Sequence, residues 1–389
     1  MNIVDLIVIA GVTWAVVGGV RVGLVGMIAA AIGSIGGLLI GSALANDVAD
    51  ALGASGNAEV LVATVVVVAA VTLLSYGAQL LAAPLSKSMD VLQLRWLDRL
   101  GGGALAFMAS LAIAWIVGGV LAVGPSQSIA RTVQGSVLLR EIDRRFPNAP
   151  GVVAELQQTL IDHGMPMPFI GFEPRLDSVD PPSPEAVAAA RNAATASTVR
   201  ITADGCGAGV SGSGVVVAPG VVFTNAHVVA GAERVLVDAL DGRHDATPAY
   251  FDPDTDLAVL RVDGLEMPPL PIAARDARVG EGAAVLGYPG GGSLVVTPAA
   301  ALGERQAVGR DIWGGSIARR EIYVLQAEVR AGDSGGPFVD ESGTVLGLVF
   351  ARSNAADDIG YALTSDELRP VLASVPSLTA AVDTGRCVQ

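Results

Sequence analysis

Hydrophobicity divides this chain in two. Four apolar runs fill its first third, at residues 3–20, 22–44, 60–85 and 101–123. The first contains one acid, Asp5, and ends at Arg21; the other three carry no charge. Each run is near the ~20 residues that a helix needs to cross hydrocarbon, so the pattern predicts a transmembrane four-helix region over 1–124. A cleaved leader fits poorly, because no basic segment precedes the first run and the run recurs three more times. A soluble reading needs four helices in succession that are apolar all round. Gly33, Gly37 and Gly41 repeat at one-turn spacing, which predicts close helix packing in a membrane. Asp5 lies near a helix end, where a cap or snorkelling is expected in preference to a proton relay.

The pattern changes over 125–197, a connector with helices and a proline-rich stretch. Ile129, Val133, Val137 and Leu138 keep a loose helical period between Ser126 and Phe146, which predicts a helix with one buried face. Met165-Pro166-Met167-Pro168-Phe169 cannot be regular helix. Pro181-Pro182-Ser183-Pro184 is a stiff break, after which Ser183 caps a helix that has Pro184 in its first turn and runs to Ala194. Residues 165–184 read as exposed and extended, a candidate for self-cleavage. From Thr198 onward short β-rich runs alternate with glycine, among them Gly214–Ala218, Arg234–Val237, Leu257–Val262 and Val345–Phe350. About a dozen such runs over 198–389 predict an all-β unit of two small antiparallel barrels, with a helix near Ser365–Leu372.

Composition narrows the setting. The 389 residues carry a net charge of −14, which disfavours non-specific nucleic-acid binding. Mean hydropathy is +0.55, and the excess lies in the first third. The first inter-span connection carries Arg21 and the third carries Lys87, Arg95 and Arg99, whereas the second carries only Asp47, Asp50 and Glu59. The positive-inside rule then places both termini, and everything after the last span, outside the cytoplasm of a multi-pass inner-membrane protein. Arg131, Arg140, Arg144 and Arg145 oppose this, but long domains obey the rule less strictly. The two cysteines, Cys206 and Cys387, are either two unrelated buried thiols or a disulfide. An extracytoplasmic face favours the disulfide, and closing so long a loop stabilises by roughly 4–5 kcal/mol in the chain-entropy model. Their spacing does not resemble a zinc site, and no metal or other cofactor is expected.

The chemistry sits in three motifs. Gly332-Asp333-Ser334-Gly335-Gly336-Pro337 resembles the nucleophile loop of trypsin-like serine proteases, with the Gly332 and Ser334 amides as oxyanion donors. Thr224-Asn225-Ala226-His227-Val228-Val229 offers a base; the other histidines, His163 and His244, sit in no motif. Asp252, Asp254 and Asp256 compete as the orienting acid, and the strand that follows Asp256 favours it. The order His227, Asp256, Ser334 is the chymotrypsin-type order. Ser213-Gly214-Val215-Val216, Gly287-Tyr288-Pro289 and Gly360-Tyr361-Ala362-Leu363 add a resemblance to the bacterial high-temperature-requirement branch.

Residues 1–125 resemble the colicin-V-production family through Met1-Asn2-Ile3-Val4-Asp5, Arg21-Val22-Gly23-Leu24-Val25 and Leu97-Asp98-Arg99-Leu100-Gly101-Gly102. The whole chain is similar to an actinobacterial family of membrane-anchored periplasmic serine proteases. That resemblance implies a chymotrypsin-like fold, peptide-bond hydrolysis of envelope proteins or peptides, a lipid bilayer around the anchor, and work in envelope, acid or oxidative stress. It also implies a specificity pocket, for which Glu328, Gly360 and Tyr361 are candidates. Glu328 either floors that pocket, pairs with Arg330 or faces solvent. Asp333 departs from the bacterial branch, where asparagine is common, and is expected to pair with an arginine or with backbone donors. The competing readings are a catalytically silent scaffold or sensor with a peptide-binding protease fold, and a transporter with a protease appendage. The intact triad disfavours the first, and the expected lack of buried charged residues in the spans disfavours the second.

Overall fold

A computed structural model describes residues 1–51, 57–91, 93–122, 127–145, 169, 172–205, 207 and 209–388. The chain divides into two compact units, Met1–Val117 with Gly135–Arg145, and Gly118–Gln134 with Phe146–Gln389.

The first unit is helical. Helix α1 (Ile3–Ala51) carries one non-helical residue, Gly23, at φ 79° and ψ 168°. The runs 3–20 and 22–44 are therefore helical segments that meet at a kink at Gly23. Helices α2 (Asn57–Val91) and α3 (Arg95–Ala122) follow. All three are long and apolar enough to cross a membrane. Trp14, Leu39, Leu73, Leu81 and Met108 stand exposed on them, an arrangement suited to a lipid solvent.

The glycines let helix backbones touch. A Cβ on Gly33 would lie 2.4 Å from Leu74 O, and one on Gly37 the same distance from Val71 Cα. Residues four later on α1 thus meet residues about four earlier on α2, which is antiparallel packing. The break at Gly23 deprives the Val25 N–H of its helical partner, and Asp98 Oδ1 accepts it instead at 3.0 Å. Asp5 is buried and accepts from Ser136 Oγ (2.6 Å) and Leu138 N (3.0 Å), so it caps helix α5 (Val137–Arg145). The single helix expected over 126–146 is instead two, α4 (Gln127–Gln134) and α5, parted at Gly135-Ser136. Ser136 gives its hydroxyl proton to Asp5 and accepts from Leu139 N, as a helix start requires.

In the second unit, Ser183 Oγ accepts from Ala186 N and caps α6 (Pro184–Ala194), which has proline in its first turn. The exposed, extended connector expected over 165–184 is found in part: 174–183 form no helix or strand, and Arg175, Asp177, Ser178, Asp180 and Pro181 are exposed, but the segment is anchored at its start. Phe172 and Glu173 are buried, and Phe169 packs edge-on against Tyr361 with ring centres 5.3 Å apart. Met165–Pro168 lie outside the described residues.

Six strands close the first barrel: β1 (Thr198–Gly205), β2 (Val210–Ala218), β3 (Val221–Thr224), β4 (Ala232–Ala239), β5 (Gly242–Asp252) and β6 (Leu257–Val262), in the order β1-β2-β3-β6-β5-β4. The short helix α7 (Ala226–Val229) lies between β3 and β4. The second set is a seven-stranded antiparallel sheet. It comprises β7 (Ala284–Gly287), β8 (Val295–Pro298), β9 (Ala300–Arg310), β10 (Ile317–Gln326), β11 (Pro337–Val339), β12 (Val345–Arg352) and β13 (Ile359–Thr364), in the order β8-β7-β11-β12-β13-β10-β9. Its edge strands β8 and β9 are one residue apart, so the sheet curls until its ends meet at Ala299. No ladder joins them there, because Ala299 N and Ala301 N donate to Ala283 O and Glu281 O. Helix α8 (Ser365–Ser374) follows β13. One apolar core is shared by both sets, with Val215, Phe223 and Leu257 from the first, Leu286, Leu348 and Leu363 from the second, and Ala190 and Ala194 of α6.

Candidate active site

The candidate base and the candidate acid come from the closed barrel. Ala226, Val228 and Val229 of α7 are buried, which leaves His227 as the residue of that turn with a partly open face. Its Nδ1 lies 2.7 Å from Asp256 Oδ2, while its backbone N–H donates to Asp256 Oδ1 at 2.9 Å. A carboxylate can only accept, so it holds the imidazole proton on Nδ1 and leaves the Nε2 lone pair free. Asp256 is fully buried and has φ +65°, a left-handed conformation that few non-glycine residues adopt. Asn225 Nδ2 donates to Asp256 O at 2.9 Å and fixes that conformation from the far side. Of the three competing acids, Asp252 instead caps the 252–255 turn and Asp254 accepts from Ser316.

The candidate nucleophile turn lies between β10 and β11. Gly332 has φ +98°, and a Cβ there would sit 2.5 Å from Tyr288 O, so only glycine fits. Its amides divide into two groups. Asp333, Gly335 and Gly336 donate to Arg330 O, Val349 O and Asp333 O. The Gly332 and Ser334 N–H groups have no partner among the described residues. The Ala331 carbonyl accepts from Gly290 N at 2.7 Å. Because a trans peptide points C=O and N–H in opposite directions, this bond turns the Gly332 N–H away from the 290 loop.

Ser213, which entered the motif reading only as part of a resemblance and without a role, is a hub. Its N–H donates to Ser334 O (2.8 Å), and its buried hydroxyl donates to Gly332 O (2.7 Å) while accepting from Tyr288 N (2.9 Å). The next residue back, Gly212, is wedged between Val228 of the histidine helix and Ser334 O; a Cβ there would lie 2.6 Å and 3.2 Å from them. Strand β2 therefore brings the His227 turn and the Ser334 turn to one place. Among the described residues no hydrogen bond joins Ser334 Oγ to His227, a gap common in sites without substrate.

Asp333 is 4% exposed. Burial pushes its carboxyl up to about 6, against the pull of the Arg330 N–H and charge. Its Oδ2 accepts from Arg330 N at 2.9 Å, and Oδ1 lies where a Cβ on Gly287 would stand. A backbone donor, not an ion pair, is thus its partner.

The three pocket candidates take different positions. Glu328 is 57% exposed and pairs with Arg330 at 2.8 Å, the second of its three expected placements. Tyr361 is fully buried and points into the core. The Cα of Gly360 lies against Val329, where a Cβ would be 2.4 Å from Cγ2. Cys206 lies outside the described residues, while Cys387 is not a free thiol. Among the described residues no cluster of ligating side chains suits a metal.

A trypsin-like peptidase domain matches residues 212–348, and a Colicin V production protein domain matches residues 4–147. The chain is 35% identical over 304 residues to serine protease Rv3671c of Mycobacterium tuberculosis, covering 76% of each chain. It is 34% identical over 158 residues to the putative serine protease HhoA of Synechocystis, covering 39% of each. The crystal structure of the active form of the Rv3671c protease superposes with a TM-score of 0.53 at 39% identity, covering 56% of this chain and 97% of that one.

Proposed function

We propose a mechanism and a location for this chain, which belongs to the trypsin-like serine protease family and is a serine endopeptidase. Ser334 Oγ attacks the scissile carbonyl, and His227 Nε2 takes its proton. Asp256 holds the imidazole tautomer and stabilises the imidazolium. The Gly332 and Ser334 amides receive the oxyanion. His227 then protonates the leaving amine, and water repeats the sequence on the acyl-enzyme. The single observation that carries this reading is the His227–Asp256 pair at 2.7 Å, set against a nucleophile turn with two unspent amides. An intact base–acid pair gives a silent scaffold nothing to do.

The apolar helices and the Colicin V-like domain anchor the chain in a membrane. In our reading the anchor is multi-pass with the protease outside the cytoplasm, where its substrates are envelope proteins or peptides in acid or oxidative stress. The Cys206–Cys387 disulfide belongs to that reading. Gly231 N donates to Thr384 O, and the Cys387 backbone lies against Gly231, whose neighbour Ala232 pairs with Gly205 in the barrel. The tail thus runs beside the residue that precedes Cys206.

A serine-directed fluorophosphonate tests the mechanism. It is expected to label wild type on Ser334 and to leave Ser334→Ala unlabelled and inactive. Equal peptide cleavage by Ser334→Ala would sink the assignment.

A further inference from the structure

Past the candidate nucleophile turn, β12 has a described partner strand on one side only. Gly335 N donates to Val349 O and Val349 N to Gly336 O, so β12 meets the nucleophile turn at Val349. Strand β11 pairs with β12 only from Val345 to Leu348. Beyond Val349, Ala351 and Arg352 pair with β13 on one side and, among the described residues, with no strand on the other; Ala351 is buried and Arg352 is exposed. An extended peptide whose scissile bond reaches Ser334 has this edge to pair with, and the turn at Ser353–Ala356 ends it.

That turn is held by a residue of the connector. Glu173 is buried, and its carboxylate accepts from Ser353 Oγ, from Asn354 N at 3.0 Å and from Tyr361 OH at 3.0 Å. A hydroxyl has one proton and two lone pairs. With its proton given to Glu173, Ser353 Oγ turns its lone pairs to Ala355 N and Ala356 N, each at 2.9 Å. Glu173 therefore orders four consecutive residues, directly or through Ser353. Its own backbone N–H donates to Gln134 Oε1 at 3.2 Å.

We propose that Glu173, twenty-five residues before β1, is a positioning residue for the edge along which substrate binds. The working protease then begins within the connector. Glu173→Ala leaves Ser353 free to rotate and lets the 353–356 turn shift, so peptides pair poorly with the edge. The triad, on other elements, stays assembled.

The proposal rests on Ser334 being the nucleophile, which labelling of wild type establishes separately. The test uses the full chain in detergent, with an internally quenched ten-residue peptide as substrate and a small alkyl fluorophosphonate as a probe that does not reach the edge. Expected for Glu173→Ala is a KM about tenfold higher, near 1.4 kcal/mol of lost binding, with the fluorophosphonate labelling rate unchanged. Glu173→Gln, which keeps one acceptor oxygen, should recover part of the loss. Ser353→Ala should raise KM in the same direction without touching the connector. A peptide KM unchanged in Glu173→Ala overturns the proposal. So does a parallel fall in labelling and peptide cleavage across all three variants, which is the mark of a purely structural role.

Discussion

Asp333→Asn gives the sharpest test of the nucleophile turn. The buried carboxylate has one hydrogen bond, from Arg330 N, and no cation in contact. Burial lifts its pKa from the ordinary 3.8 to about 6. The folded protein therefore holds this proton up to about pH 6, whereas the unfolded chain releases it near pH 4. A raised folded-state pKa contributes stability that is complete below the unfolded value and is lost as pH rises through the folded one. Between pH 4 and pH 7, a window that opens just above the unfolded value and closes one unit above the folded one, a difference of this size corresponds to about 2.4 kcal/mol. Asparagine never ionises, so the variant lacks this dependence. Its Oδ1 can keep the Arg330 bond, but its amide must stand against Gly287, and an unmet buried donor costs about 1–3 kcal/mol. That offset acts at every pH and does not alter the slope. The decisive quantity is the stability of the variant minus that of the parent, which should rise by about 2.4 kcal/mol from pH 4 to pH 7. For a domain of this size 1 kcal/mol moves Tm by about 2–4 °C. Fragment 169–389 carrying Ser334→Ala, to prevent self-digestion, should show the change as a melting-temperature difference that grows with pH in favour of the variant. A difference constant across that range would mean that Asp333 is not held protonated, and the burial argument would fail.

Two further outcomes follow from the same geometry. Ser213→Ala should lower kcat by about ten- to a hundredfold with little change in KM, because Gly332 O and Tyr288 N both lose a partner at a cost of about 1–3 kcal/mol each; an unchanged kcat in steady-state peptide hydrolysis would show that the hydroxyl does not hold the oxyanion turn. Cys387→Ser should destabilise the protease by up to about 5 kcal/mol in the chain-entropy model; two free thiols by mass spectrometry of non-reduced envelope material would end the disulfide proposal.

Much of the candidate site was legible because its chemistry is local in sequence. Gly332 must adopt positive φ, and the donors on either side of Asp333 belong to one turn, so six consecutive residues declare it. Asp256 stood out from Asp252 and Asp254 because β6 begins at Leu257. What stayed hidden is long-range. Ser353 and Glu173 are 180 residues apart, and Ser213 reaches Gly332 across 119. Any serine reads alike until its partner is known. Glu328 shows the converse limit. An offset of six from Ser334 fixes the loop but not the side of the chain, and Arg330, two residues on, claims the carboxylate.

The membrane unit failed to announce its joints for a related reason. Charge at Arg21 marked the end of the first apolar run, yet the helix continues through it and breaks only at Gly23. One residue with φ 79° suffices, and it leaves no trace in hydropathy. The trace is in the partner. Breaking a helix in hydrocarbon frees an N–H that water cannot satisfy, and Asp98 accepts the one at Val25. At Gly23 a Cβ would lie 2.0 Å from Asp98 Oδ2, and at Gly102 one would lie 2.3 Å from Gly19 O, so the acid reaches the break only where both backbones lack side chains. The segments Arg21–Val25 and Leu97–Gly102, which carried the resemblance as separate short motifs, are thus the two halves of one joint. Asp5 obeys the same rule at the first segment, where it satisfies the start of α5. Asp5 and Asp98 thus both accept backbone N–H groups that a helix start leaves without an intrahelical partner.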